Sequence, residues 1–275
     1  MIKLVLLGTV HRDPVGKNRL LRALDRIRPS AISLEVSPAS VKLRDKWGPG
    51  WMKLFRRHLA GLARETGLRP SRLMAGAGLR GVFEYLRLPF EYRAAMAYAR
   101  ENSCPVFLLD DSEIAAAYLS QVEEEILNAR NIKLLHQSGA GEPLLQEVAE
   151  NYARAAALVF PKGLGPVLGE TWLKDPESWA QREAGLSQKL RLLHQGLVRR
   201  QDRTMKGEEL VAGLIIAPEA VGFVPETISL AAATVHLYIG GWEHLIEDEK
   251  GGSLYSRLKD LKPERQLCFN HGGGN

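Results

Sequence analysis

Apolar residues fall along this chain in two rhythms. KLVLLG (3–8), AISLEV (31–36), PVFLLD (105–110) and ATVHLYIG (233–240) are short, continuous apolar runs. That is the pattern of strands covered on both faces in a largely parallel sheet. Between the first two, NRLLRALDRIRPS sets Leu20, Leu21, Leu24 and Ile27 at helical spacing, and Pro29 stops the helix. Such a strand–helix–strand unit closes right-handed with its strands parallel. PFEYRAAMAYARENSC predicts a further helix leading into the third strand. The stretch ISLAAATV, ahead of the fourth run, reads equally as the start of a helix.

Helical spacing dominates elsewhere. WMKLFRRHLAGLARETG puts Trp51, Phe55, Leu59 and Leu62 on one stripe, with Lys53, Arg56, Arg57 and Arg64 largely off it. With WGPGW before it and GAGLRG after it as turn-like edges, this predicts a helical insertion over about 39–80. Residues 113–205 are also mostly helical in pattern, interrupted at HQSGAGEP and FPKGLGP. The expected fold class is therefore α/β: a central, largely parallel sheet with flanking helices and a helical insertion. At 275 residues the chain has ample length for a full core.

Charge is unevenly placed. Residues 41–100 hold 13 Lys or Arg against 4 Asp or Glu, while the whole chain is only +5. This basic surface is suited to an acidic partner or an anionic membrane, and helix 51–66 would supply the amphipathic face. The plainer alternative is a solvated helical face, which we favour. No phosphate-binding loop, zinc finger or aromatic-interleaved signature accompanies it, so nucleic acid is not the expected partner. The two cysteines, Cys104 and Cys268, are too few for a disulfide framework and suit a reducing compartment. MIKLVLLG is too short for a secretory signal, and the long apolar stretch near 211–241 is broken by Glu219, Glu226 and prolines. A cytoplasmic protein is expected.

The chemistry-bearing residues cluster by position. At or just past the ends of the four runs lie His11, Glu35, Asp110 with Asp111, and His244. Ligands of open α/β sheets bind outside the carboxyl ends of the strands, so a parallel sheet would gather these residues on one rim. Two imidazoles with carboxylates suit Zn²⁺, Mn²⁺ or Fe²⁺ by ligand type. Both histidines close a Gly-x-x-His segment, GTVH at 8–11 and GWEH at 241–244. Gly8 and Gly241 would let the chain turn sharply and a substrate approach the backbone. Each residue has a plainer reading as well. A histidine after a strand can bond a loop carbonyl, Glu35 can pair with an arginine, and Asp110 can cap the helix SEIAAAYL. His236 reads as core, and His58, His136 and His194 as surface.

LLGTVHRDPVGKNRLLRALDRIRPSAISLEVSP resembles the opening of the TraB/PrgY/GumN/Tiki superfamily, with its strand, Gly-Thr-x-His signature, helix, and second strand ending in Glu. PFEYRAAMAYARENSCPVFLLDDS resembles the family's next block, RRQDRTMKGEEL a third, and GGWEH the second Gly-x-x-His block. The resemblance runs in order from residue 3 to about 260. It implies a single TraB-like domain over 1–275, distantly EreA/ChaN-like, and for some members metal-dependent hydrolase activity. It marks His11 and His244 with Glu35 as metal ligands and Glu91 with Glu35 as catalytic, Glu91 as general base on the metal-bound water or as a further ligand. Gly8, Thr9, Gly241, Asp110 and Arg203 fall to substrate binding, and the ion is expected to be Mn, Co or Zn. The chain departs from the pattern at Pro89, Asp111 and Gln201, where the family commonly has Gly, Arg and Arg. The leading expectation is a metal-dependent hydrolase of the TraB/Tiki type acting on peptide or amide bonds. The alternative is a non-catalytic protein binding a peptide or small molecule on the same scaffold.

Overall fold

The computed structural model describes residues 2–138, 143–161, 176–200, 204–213, 220–229, 235–248 and 252–269. β1 (Lys3–Thr9) leads into α1 (Gly16–Ile27), which ends at Arg28 in the left-handed conformation just before Pro29, and β2 (Ala31–Leu34) follows. Then come α2 (Pro38–Thr66), α3 (Pro70–Leu73), α4 (Ala77–Leu86), α5 (Phe90–Asn102) and β3 (Val106–Leu108). The helical half of the chain comprises α6 (Ser112–Ser120), a π-helical turn (Val122–Ile126), α7 (Ala129–Ser138), α8 (Leu144–Val159) and α9 (Pro176–Val198). β4 (Thr204–Lys206), α10 (Gly207–Gly213), β5 (Val221–Phe223) and β6 (Thr227–Ser229) precede β7 (Val235–Gly241). A 3-10 turn (Trp242–Leu245), α11 (Leu254–Arg257) and β8 (Glu264–Leu267) complete it.

The fold is α/β, with a mostly parallel mixed sheet flanked by helices. Its strand order is β5-β3-β2-β7-β1-β8, and only the edge strand β5 runs antiparallel. Alternate side chains of each central strand enter opposite cores. Leu4, Leu6, Phe107 and Tyr238 join α8 and α9 on one face; Val5, Leu7, Ile32 and Leu237 join α1 and α5 on the other. Burial on both faces explains why the strand runs are continuous rather than alternating. The β1–β7 pairing positions the site. β7 lies between β1 and β2, with Gly8 opposite Gly240 and Thr9 opposite Gly241. The two Gly-x-x-His segments thus leave neighbouring strands at the same level. Among the described residues, no helix is long and apolar enough to cross a membrane.

The insertion differs from expectation in two respects. WGPGW and GAGLRG are not turns: α2 runs unbroken through Gly48, Pro49 and Gly50, and α4 begins at Ala77. Pro49 lacks the N–H that would bond back one turn, at a cost of about 3 kcal/mol in a helix interior. Trp51, Phe55, Leu59 and Leu62 are all buried on the stripe that follows, each contributing about 1.5–3 kcal/mol, and together they outweigh the break. The insertion is also not one contiguous segment. Its core combines Trp51, Phe55 and Leu79 with Leu119, Leu127 and Ile132, contributed from beyond β3. This third core stands apart from the two that sandwich the sheet, and Tyr85 of α4 and Leu119 of α6 from it wall the cavity at the rim.

Candidate functional site

Glu35, the residue after β2, is the hub of the rim. Its side chain is only 4% exposed. Oε2 accepts from the Gly241 backbone N–H at 2.6 Å and lies 2.9 Å from His244 Nε2; Oε1 accepts from Arg182 at 2.7 Å. His11 approaches from the other Gly-x-x-His segment, its Nε2 3.8 Å from the same Oε2. Each imidazole is held from behind by another carboxylate. His11 Nδ1 lies 2.9 Å from Glu91 Oε1, and His244 Nδ1 lies 2.5 Å from Glu183 Oε1. Both rings therefore turn Nε2 toward Glu35. Trp179 stacks on His244 with centroids 4.9 Å apart and planes 10° from parallel, which fixes that ring further.

The charges follow from these contacts. Burial opposes charge on His244, but Glu183 and Glu35 together raise its pKa well above the ordinary value. Partial desolvation likewise opposes charge on the half-exposed His11, while the hydrogen bond and charge of Glu91, then Glu35 and Glu243, raise it to about 9. Glu35 goes the opposite way: burial would raise it, but His244, Arg182 and His11 hold it far below the usual carboxylate range. The field at the rim is that of clustered carboxylates seeking positive charge.

Several of these partners were not anticipated. Arg182 and Glu183 lie on α9, whose apolar stripe is Leu186, Leu190, Leu193 and Leu197. One turn back, that stripe lands on Arg182 and Glu183, and two turns back on Trp179. Charged residues on an apolar stripe were the signal in the sequence. Arg182 also holds Asp110 through two bonds of 2.9 Å, one from Nε and one from Nη2. The cap of α6 is Asp111, whose Oδ1 accepts from the Glu113 and Ile114 N–H groups. Asp110 is thereby left to face the site. Asp111 stands in a capping role, and the positive charge beside Glu35 comes from Arg182.

The remaining expected residues separate. Thr9 is fully buried, with its hydroxyl 2.9 Å from Glu91 Oε1 and 3.0 Å from the Gly240 carbonyl, so it supports the rim from beneath. Gly8 and Gly241 are needed for space rather than for a left-handed turn. A Cβ on Gly8 would come within 2.9 Å of the Trp242 backbone, and one on Gly241 within 3.0 Å of His11 Nε2 and 2.9 Å of Glu243 Oε2. Arg203 and Gln201 lie outside the described residues. His236 is core as expected, but His194 is a correction. It is buried, stacked on His236 at 5.5 Å. Its helical position faces the sheet rather than solvent.

Above the rim opens a cavity of about 320 Å³, floored by His11, Glu35, Glu91, Asp110 and Arg182. The His11 side chain, 51% exposed, is the part of the pair reachable from it. Among the described residues, no three His, Cys, Asp or Glu side chains stand at metal-binding geometry as they are. The donor chemistry nevertheless fits a divalent ion: two Nε2 atoms and a carboxylate oxygen converge, and each imidazole is backed by a buried carboxylate. No family model, curated protein or solved structure matches the chain.

Proposed function

We propose that the chain is a metal-dependent hydrolase of peptide or amide bonds, of the TraB/Tiki type. One observation carries the reading: the Nε2 atoms of His11 and His244 converge on Glu35, with Glu91 and Glu183 behind them. A divalent ion held by His11, His244 and Glu35, of the Mn, Co or Zn class, would acidify a bound water and polarise the scissile carbonyl. The chain's own groups do the rest. Glu91 and Glu183 fix the imidazole tautomers, and Arg182 fixes the Glu35 carboxylate. Glu243 Oε2, near His11 Nε2 beside Gly241, takes the proton of the attacking water. The water oxygen bonds the acyl carbon, the C–N bond breaks, and Glu243 delivers its proton to the leaving amine. Glu91 is spent on Thr9 and His11, which makes it a positioning residue in this scheme. An EreA/ChaN-like fold and a cytoplasmic setting belong to the same proposal, supported by the resemblance of the first block and by two free, buried cysteines.

The non-catalytic alternative drew its weight from the departures at Asp111 and Gln201. The helix-capping role of Asp111 and the guanidinium of Arg182 beside Glu35 reduce that weight. The test is bound metal per chain, together with divalent-stimulated cleavage of a peptide library, in the wild type and in His11→Ala and His244→Ala. Both substitutions are expected to lower metal content and abolish cleavage. Unchanged metal content in both sinks the reading.

A further inference from the structure

The cavity has an unequal distribution of charge. Its carboxylates are all engaged: Glu35 and Asp110 with Arg182, Glu91 with His11, and Glu84 with Arg80 and Arg87. Arg87 and Arg182 are spent in these pairs. Two lining cations differ. Among the described residues, neither Arg12 nor Arg44 has a carboxylate within ion-pair distance. Arg44 Nε donates to the Tyr85 carbonyl at 3.2 Å, and its guanidinium lies over the Tyr85 ring at 5.3 Å, which leaves its Nη groups for a ligand. Burial lowers its pKa, with Tyr85 opposing, as expected for a cation desolvated without an adjacent acid.

Arg12 reaches the same wall. It follows His11 in the left-handed conformation, at φ 66°, which is costly for a side chain of this size. Asp13 holds the turn, accepting from the Val15 N–H at 3.0 Å and from Arg19 at 2.7 Å. This conformation carries the Arg12 guanidinium to α4, where a Cβ on Gly81 would stand 3.3 Å from Nη1. Gly81 and Tyr85 are four residues apart on α4, hence on one face about one turn apart. Both cations therefore lie against α4, and both line the cavity.

We propose that this wall receives a free carboxylate of the substrate, so that the cavity takes N-acyl amino acids or short peptides ending in an unblocked α-carboxylate. The proposal rests on the hydrolase reading for the identity of the scissile bond, not for the binding. Guanidinium groups bind carboxylates through charge-assisted, often bidentate hydrogen bonds. A volume of about 320 Å³ is at the small end for ligand cavities, suiting a dipeptide-sized molecule. Phe90, Leu119 and Tyr118 supply apolar wall for its side chains.

The experiment is titration calorimetry of the full chain with N-acetyl-dialanine and with its C-terminal amide, first in EDTA and then in Mn²⁺. EDTA removes any carboxylate binding owed to a metal at the floor. The wild type is expected to bind the acid about tenfold or more tightly than the amide in both conditions. In Arg12→Met/Arg44→Met, checked for folding by its thermal melt, that preference falls below about twofold. His11→Ala keeps it. Equal affinity for acid and amide, no binding of either, or a preference surviving in the double variant each overturns the proposal. Preference for the acid in Mn²⁺ without turnover upholds it while sinking the hydrolase reading, so the two failures are separable.

Discussion

At the residue scale, the carboxylates around His11 divide into two kinds. Glu91 is 4% exposed and its Oε1 is committed to Thr9 and His11, whereas Glu243 Oε2 lies beside Gly241 without an ion pair to the ring, its charge still felt by His11. A carboxylate that orients a ligand should govern metal affinity; one that moves a proton should govern turnover. Glu91→Gln is therefore expected to weaken metal binding by about 10–100-fold, with activity returning at higher metal concentration. Glu243→Gln is expected to leave metal content unchanged and lower kcat by about 100-fold or more. Metal titrations of kcat in both variants check the assignment. The reverse pattern would make Glu91 the proton acceptor, the role first given to it on the resemblance.

At the element scale, what was legible depended on how much of the signal was local. Runs such as KLVLLG and AISLEV carry their strand identity within themselves, and Leu20, Leu21, Leu24 and Ile27 mark α1 unaided. The rim residues His11, Glu35, Asp110 and His244 were legible because a parallel sheet brings strand ends together whatever their order. Arg182 and Glu183 were legible only as charged positions on an apolar stripe, since nothing near them in sequence says which part of the sheet α9 covers. WGPGW misled for the opposite reason: its local chemistry says turn, and tertiary burial of Trp51 and Phe55 overrides it. The override has a measurable cost. Pro49→Ala restores a backbone donor inside α2 and is expected to raise unfolding free energy by about 1–3 kcal/mol. Urea unfolding followed by circular dichroism reads it. A loss of stability would mean that the proline shapes the Trp47–Trp51 contact, whose rings meet edge to face at 5.9 Å.

At the scale of the whole molecule, two sets of histidines pull stability in opposite directions with pH. His236 is fully buried at the far end of β7 from the rim, with Nε2 2.8 Å from Ser33 Oγ and Nδ1 3.3 Å from His194 Nδ1. Burial, then the neighbouring His194, push its pKa down to about 3, and burial lowers His194 as well. A histidine depressed in the folded state binds its proton mainly when unfolded. Its contribution is intact above the ordinary value of 6.5 and lost as pH falls from there toward 3. His11 and His244 are raised instead, so their contribution is present below 6.5 and fades as pH rises, toward about 9 for His11. Stability should therefore peak near neutrality. The acid limb is diagnostic, because carboxylates with an ordinary value of 4.5, such as Glu35, take up few protons above pH 5. Between pH 7 and 5, His236 alone accounts for a loss of about 2 kcal/mol in unfolding free energy. His11 and His244 gain stability over the same range, so the loss is read as a difference. In urea titrations the wild type should lose about 2 kcal/mol from pH 7 to 5 relative to His236→Asn, whose side chain keeps hydrogen-bonding capacity without titrating. A difference between the two profiles that stays constant from pH 7 to 5 would mean that the buried pair accepts its proton in place, through a rearrangement of Ser33 and His194 that stabilises the charged ring.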